Sequence, residues 1–361
     1  MATRWIIRQG SKPAGFHYTD AAGRAVRDKR ALARIDALRI PPAWQDVHIA
    51  PSPTSAVQAW GIDAKGRKQY RYHTKAVERG DRRKYYRVRQ MARDLPRIRQ
   101  TLLRDFHRGD FSREHVAATV VRLLSEGFFR VGGDRSAKEN RTFGLTTLRK
   151  THVAVAADAI TFEYAGKGGI RQWKVVTDRA LARVVAALQN VPGSRLFRYE
   201  GAGGWTDLTA RDVNDYVREI TGRRYTAKDF RTWGGTLRFA TVLAELGAPE
   251  SETARRRAVV MAVRLVAAEL GNTPAICRKS YVHPIVIARY LDEGETIAPR
   301  QAAGAQRRRG SARAPEERAL IRFLDRHFPE RRRRRRSEIR GDIPAVRVRR
   351  ENSPQPARPR A

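Results

Sequence analysis

Four side chains in this 361-residue sequence have types and settings suited to chemistry at a phosphate. Tyr281 lies in the stretch Gly271–Pro284, G-N-T-P-A-I-C-R-K-S-Y-V-H-P. A Gly-Asn stop and a Pro there open a short helix, and the tyrosine follows it. A phenol so placed can attack a DNA phosphate; it can equally be a buried ring with a satisfied hydroxyl. Arg130 follows two phenylalanines and precedes Gly132–Gly133. Apolar neighbours would hold its planar fork of donors, which suits a phosphate; pairing with Asp134 or a helix C-terminus is the plain alternative. Lys167 stands between Gly166 and Gly168–Gly169, glycines that let the backbone bend and approach another surface closely. A solvated turn tip explains it too. Lys228 and Arg231, in K-D-F-R, are three apart and so can share a helix face, and Gly234–Gly235 behind them permit close packing or approach of a ligand.

The elements that must position these residues can be read in outline. Residues 1–77 carry short alternating or apolar runs broken by turn signals, the pattern of a small β-rich domain. Its last hairpin turns at Asp63–Gly66, after which Arg67, Gln69, Tyr70 and Tyr72 mix a cation, an amide and aromatics. Such a strand can touch phosphates and base edges, or simply be exposed. Lys75–Lys84 reads as a charged linker running into a helix over Tyr85–His107, which Pro96 should kink or split. Ser112 caps the next helix, which ends near Gly127. Arg135, Lys138 and Asn140 then recur at helical spacing, facing either a groove or solvent. Ile160, Phe162 and Tyr164 alternate before the glycine turn, and Ile170–Val176 form the return strand. Helices follow over Ala180–Asn190, from Thr209 to about Ile220, through the K-D-F-R stretch, and over Glu252–Leu270. The expected class is α+β: a β-rich domain over 1–77, a mainly helical domain with a short β-hairpin sheet over 78–295, and a basic, mostly disordered tail over 296–361. One amphipathic piece, P-E-E-R-A-L-I-R-F-L-D-R-H-F, interrupts the tail ahead of the six arginines 331–336.

Charge narrows the partner. The formal charge is +37, of which +13 falls in 300–361 and +24 in 1–299, so the body is itself cationic. Cations that neutralise phosphates release condensed counterions, which points to a polyanion. No apolar run reaches the roughly 18–20 residues of a spanning helix, and the N-terminal stretch is too short for a signal peptide, so no membrane role is expected. Cys277 stands alone, which fits a reducing interior without disulfides. Neither zinc-ligand spacing nor a phosphate-binding P-loop occurs, so no metal or cofactor is expected.

In order and spacing, the motifs F-R-V-G, T-F-G-L-T-T-L, G-K-G, K-D-F-R-T-W-G and L-G-N-T-P…C-R-K-S-Y resemble those of type IB DNA topoisomerases of the poxvirus and bacterial class. The likeness covers about residues 60 to 293, and more loosely the N-terminal part. It implies catalytic roles for Arg130, Arg231 and Lys167, and a nucleophile at Tyr281. Asn272 occupies the place of a histidine in the family's viral and eukaryotic members, as in bacterial relatives; it can donate an N–H but not titrate. The resemblance further implies double-stranded DNA as partner, a β-rich domain that clamps it, contacts from Arg67, Gln69, Tyr70, Tyr72, Arg135, Lys138, Asn140 and Lys228, a monomer, and a cytoplasmic, nucleoid-associated setting. Two alternatives stand beside it. A tyrosine recombinase or integrase would typically show H-x-x-R where this chain has K-D-F-R, and a non-catalytic DNA-compacting protein would use the charge alone.

Overall fold

The alternating runs near the N-terminus pair into one antiparallel sheet. In the computed structural model, which describes residues 5–298 and 313–329, its strands are β1 (Ile6–Ser11), β2 (Gly15–Thr19), β3 (Gln45–Ile49), β4 (Val57–Ile62) and β5 (Lys68–Tyr72), in the order β2-β1-β3-β4-β5. Helix α1 (Lys29–Ala37) closes one face, packing Ile35 with Ile6, Val47, Ile49 and Ala59 in a small core of their own. The β4–β5 turn falls where its residues place it: the Asp63 amide donates to the Arg67 carbonyl at 2.9 Å.

Helix α2 (Thr74–Phe106) starts directly after β5, capped by the His73 side chain. Lys75–Lys84, expected to be a linker, forms its first turns. That stretch holds one helix breaker, Gly80, among good helix formers, and most of its charges face solvent, while Lys84 is largely covered and donates to the Ser280 carbonyl at 3.4 Å. Nor does Pro96 split the helix. A proline leaves the carbonyl four residues back without its donor, and here that carbonyl, on Ala92, accepts from Arg313 Nε at 3.3 Å.

Arg313 leads into α11 (Pro315–His327), which lies within the span expected to be a disordered tail. Its Ala319, Leu320, Phe323 and Leu324 are buried in the main core, and Arg99 grips Glu317 through two bonds of 2.9 and 2.7 Å. Residues 315–327 therefore belong to the folded body; apolar residues spaced three and four apart gave them a face to bury. The remaining tail calls, including the six arginines, lie outside the described residues.

The main core gathers α2, α3 (Arg113–Gly127), α6 (Ala210–Thr221), α7 (Ala227–Leu246), α8 (Glu252–Leu270) and α10 (Pro284–Glu293). Against it lies a second sheet, β6 (Val153–Ala156), β7 (Ala159–Ala165) and β8 (Arg171–Thr177), with Ile160, Phe162 and Tyr164 turned inward. The architecture is α+β. Among the described residues no single helix is long and apolar enough to cross a membrane.

Candidate active site

Of the residues singled out in the sequence, Tyr281, Arg231, Arg130 and Asn272 meet at the C-terminal end of α8. Gly271 stops that helix with φ +61°, and the Asn272 amide closes the turn on the Ala267 carbonyl at 2.9 Å. Glycine suits position 271 for that φ, and a Cβ there would lie 2.2 Å from Gln172 Oε1 and push that side chain aside. A short helix, α9 (Pro274–Ser280), then starts from Thr273 as cap and Pro274, and delivers Tyr281 at its end.

Tyr281 is held by its backbone. Its amide donates to the Cys277 carbonyl at 2.9 Å, and its carbonyl accepts from Thr236 Oγ1 at 3.0 Å. Gly235 is why α7 can come this close, since a Cβ there would sit 3.2 Å from both Tyr281 Cβ and its carbonyl oxygen. Two residues on, His283 fixes the segment from the other side. Its Nδ1 caps α10, and its ring lies 4.4 Å from that of Tyr85 and 4.7 Å from that of Phe328, just past α11. Burial, with Lys84 and Arg89 nearby, pulls the His283 imidazole down to about 3, so it is neutral.

Arg231 projects from the second turn of α7 and is only 3% exposed. Its Nη2 donates to the Leu270 carbonyl at 2.9 Å, its Nη1 to the Phe128 carbonyl, and its guanidinium carbon lies 5.1 Å from the centre of the Tyr281 ring. Burial lowers its pKa, with Tyr281 acting in the opposite direction. Arg130 arrives from a different element. Its chain pairs with the T-F-G-L-T-T segment, the Leu145 amide donating to the Arg130 carbonyl at 2.9 Å and the Thr146 amide to the Val131 carbonyl at 2.8 Å. Gly132 and Gly144 face each other at the crossing, where a Cβ on Gly144 would meet Gly132 Cα at 2.6 Å. The buried Phe129 anchors this segment against Phe162, ring centres 4.7 Å apart. Arg130 Nη2 donates to the Gly271 carbonyl at 3.0 Å and to Asn272 Oδ1.

Two N–H donors in this cluster, Arg231 Nε and Asn272 Nδ2, are buried without a partner. Buried donors are nearly always satisfied, so such a pair beside one tyrosine marks a place where an acceptor belongs.

Lys167 is not brought into the cluster. It lies exposed at the glycine turn between β7 and β8, and its side chain makes no hydrogen bond or ion pair among the described residues. Lys228 and Arg231 do not share a face open to solvent, as their spacing allowed: Lys228 is exposed and Arg231 buried, because the side of α7 that carries Arg231 faces the core. On α4 (Asp134–Asn140), Arg135, Lys138 and Asn140 are exposed, and Arg135 pairs with Glu139 at 2.9 Å. On β5 the run divides by strand alternation. Tyr70 and Tyr72, 42% and 53% exposed, stack on one face with ring centres 5.8 Å apart. Arg67 and Gln69 both engage the Asp63 carboxylate, at 2.7 and 2.9 Å.

Sequence reasoning missed two residues. Gln172 and Lys174 lie on the inner face of β8, opposite Tyr164 and Phe162, while the apolar Trp173 and Val175 point outward. Lys174 Nζ donates to the Glu269 carbonyl at 2.7 Å. Burial foremost, then Arg231, pushes it down to about 8. The signal was available: pairing Ile170–Val176 with Ile160, Phe162 and Tyr164 in register puts the polar residues on the buried side.

The chain is thus a basic α+β protein with a backbone-clamped tyrosine against one anchored guanidinium and a second at the same helix end, and comparison with known proteins gives its class. The family model for the catalytic core of eukaryotic DNA topoisomerase I matches residues 70–306, and that for the N-terminal domain of bacterial DNA topoisomerase IB matches residues 15–63. The chain belongs to the type IB DNA topoisomerases. It is 30% identical to DNA topoisomerase 1B of Acanthamoeba polyphaga mimivirus over 272 residues, covering 73% of this chain and 81% of that one. With DNA topoisomerase 1B of Vaccinia virus (strain Copenhagen) it shares 21% identity over 64% of this chain and 72% of the relative. With DNA topoisomerase 1 of Candidozyma auris it shares 27% over 43% of this chain and 20% of the relative.

Proposed function

We propose that this topoisomerase relaxes supercoiled DNA by transient cleavage of one strand, with Tyr281 as the nucleophile. Attack of the Tyr281 oxygen on phosphorus forms a 3′-phosphotyrosyl link and expels the 5′-oxygen as a hydroxyl. The phenol passes its proton to solvent as the O–P bond forms, and the Arg231 guanidinium beside the ring meets the negative charge that develops there. Arg130, Arg231 and Asn272 donate to the phosphoryl oxygens as charge builds on them. Asn272 suits that role because Arg130 occupies its Oδ1, which leaves Nδ2 as the free donor. Lys167 protonates the departing 5′-oxygen, which makes it a competent leaving group. Placing it there takes movement of the glycine turn on the bound duplex.

The link conserves the energy of the phosphodiester, so the 5′-hydroxyl can attack back and reseal without ATP or metal. While the nick is open the duplex swivels, and supercoils of either sign relax. The reading has the protein act as a monomer on the nucleoid, with Tyr70, Tyr72 and the N-terminal sheet on one side of the duplex and Arg135, Lys138, Asn140 and Lys228 on the other.

The observation that carries this reading is the meeting of Tyr281, Arg231, Arg130 and Asn272, from three chain segments, around one helix end. Its test is plasmid relaxation without ATP and in chelator. The wild-type protein should relax, and Tyr281→Phe should be inert while still binding DNA. Relaxation that survives the substitution would remove Tyr281 as nucleophile.

A further inference from the structure

The last turn of α8 presents three consecutive carbonyls, and each carries one cation. Lys174 Nζ donates to Glu269, Arg231 Nη2 to Leu270 and Arg130 Nη2 to Gly271, at 2.7, 2.9 and 3.0 Å. Carbonyls at a helix C-terminus lack partners within the helix and carry the negative end of its dipole, so they can hold positive groups that would otherwise repel one another. Two of the three cations have roles in the reaction proposed above. The third, on β8, has none yet.

We propose that Lys174 is a positioning residue for strand cleavage: it pins the Glu269 carbonyl, so fixing the turn that aims Arg231 and Arg130, and adds a third positive charge behind the phosphate they hold. This rests on the reading of Tyr281 and the two arginines given above. The placement is specific. Lys174 shares one crevice with Arg130, Arg231, Tyr164 and Gln172. The charged and titratable groups facing it are Arg231 from α7, Arg130 from the segment after α3, Tyr164 from β7 and Glu269 from α8. The Glu269 carboxylate is itself held by Arg238 at 2.9 Å, and its pull on the lysine is outweighed by burial and by Arg231. Tyr164 keeps its proton, pushed up to about 12 by burial. Lys174 is thus an ammonium among cations, and it loses its proton more easily than an exposed lysine. Sign follows from this: the charge is present below about pH 8 in the free protein and is lost above it, and a bound phosphate moves that loss upward.

The test is single-turnover cleavage of a duplex that traps the covalent product, by the full-length protein, over about pH 6.5 to 9.5, with DNA affinity and melting temperature measured alongside. Lys174→Met should cleave roughly tenfold or more slowly at neutral pH, with affinity changed by less than about twofold. Lys174→Arg should restore most of the rate and move the alkaline decline to higher pH than in wild type. Cleavage by Lys174→Met within about twofold of wild type would overturn the proposal. So would Lys174→Arg as slow as Lys174→Met, which would mean that shape and not charge is required. Should Lys174→Met fail to fold, an alkaline decline in Lys174→Arg identical to that of wild type decides against it. Failure here is separable from failure of the underlying reading, which alone predicts that Tyr281→Phe is inert.

Discussion

Arg231 and Lys167 are two cations of one proposed site, and the fold treats them in opposite ways. Arg231 is buried, bonded to the Phe128 and Leu270 carbonyls, and set beside the Tyr281 ring before any DNA arrives. Lys167 is exposed on a turn of glycines and bonded to nothing among the described residues. The contrast matches what each is asked to do. Groups that meet developing charge are most effective when fixed in advance, because no reorganisation is then needed at the moment of reaction. A proton donor to the leaving strand has to follow the DNA, and a mobile tip can do so. Preorganisation on one side and access on the other divide the site into a rigid half and an adaptable half.

The contrast can be broken experimentally. Arg231→Ala should have the largest effect, since it removes a phosphate donor and strands two buried carbonyls. Single-turnover cleavage should fall at least about a hundredfold, and a loss under about tenfold would deny the rigid half its role. Lys167→Ala should cost roughly a hundredfold or more on an ordinary strand. It should be largely rescued when the 5′-leaving group is a thiolate, which needs no proton; Arg231→Ala should gain no such rescue. Equal rescue of both, or of neither, would erase the distinction.

Smaller effects sharpen it. Phe328 packs on His283, so α11 belongs with the rigid half. A chain ending at 312 should melt several degrees lower and cleave poorly, whereas one ending at 329 should cleave normally and show only weaker binding with a flatter salt slope. Cleavage unharmed by the deeper truncation would detach α11 from the site. The smallest effect concerns pH. An ordinary histidine titrates near about 6.5, while His283 is pulled down to about 3. The unfolded chain takes up that proton first, so the stabilisation is whole above about pH 6.5 and is lost as pH falls toward 3. The melting temperature of wild type should therefore drop more steeply over that window than that of His283→Asn, which keeps an acceptor for the α10 cap.

Much of the rigid half was legible in the sequence, because its parts are local signals: F-F-R-V-G-G for a held arginine, Gly271 for a helix stop, Pro274 for a helix start. What was not legible depends on packing. Spacing put Lys228 and Arg231 together, yet which of them is buried is decided by what α7 lies against. Charge made Lys75–Lys84 read as linker although its residues are helix formers. Pro96 gave no hint that Arg313, more than two hundred residues on, would bond the carbonyl it leaves free in α2. The three carbonyls that organise the cations are backbone atoms, and no side-chain pattern announces them.

The central claim is that Tyr281 forms the covalent bond to DNA. Trapping the protein on a duplex that cannot reseal, digesting the adduct and locating the nucleotide-bearing residue by mass spectrometry tests it directly. The account predicts a single modified peptide, with the 3′-phosphate on Tyr281. A 3′-phosphate carried by any other residue, or a cleaved strand with no protein attached, would contradict it.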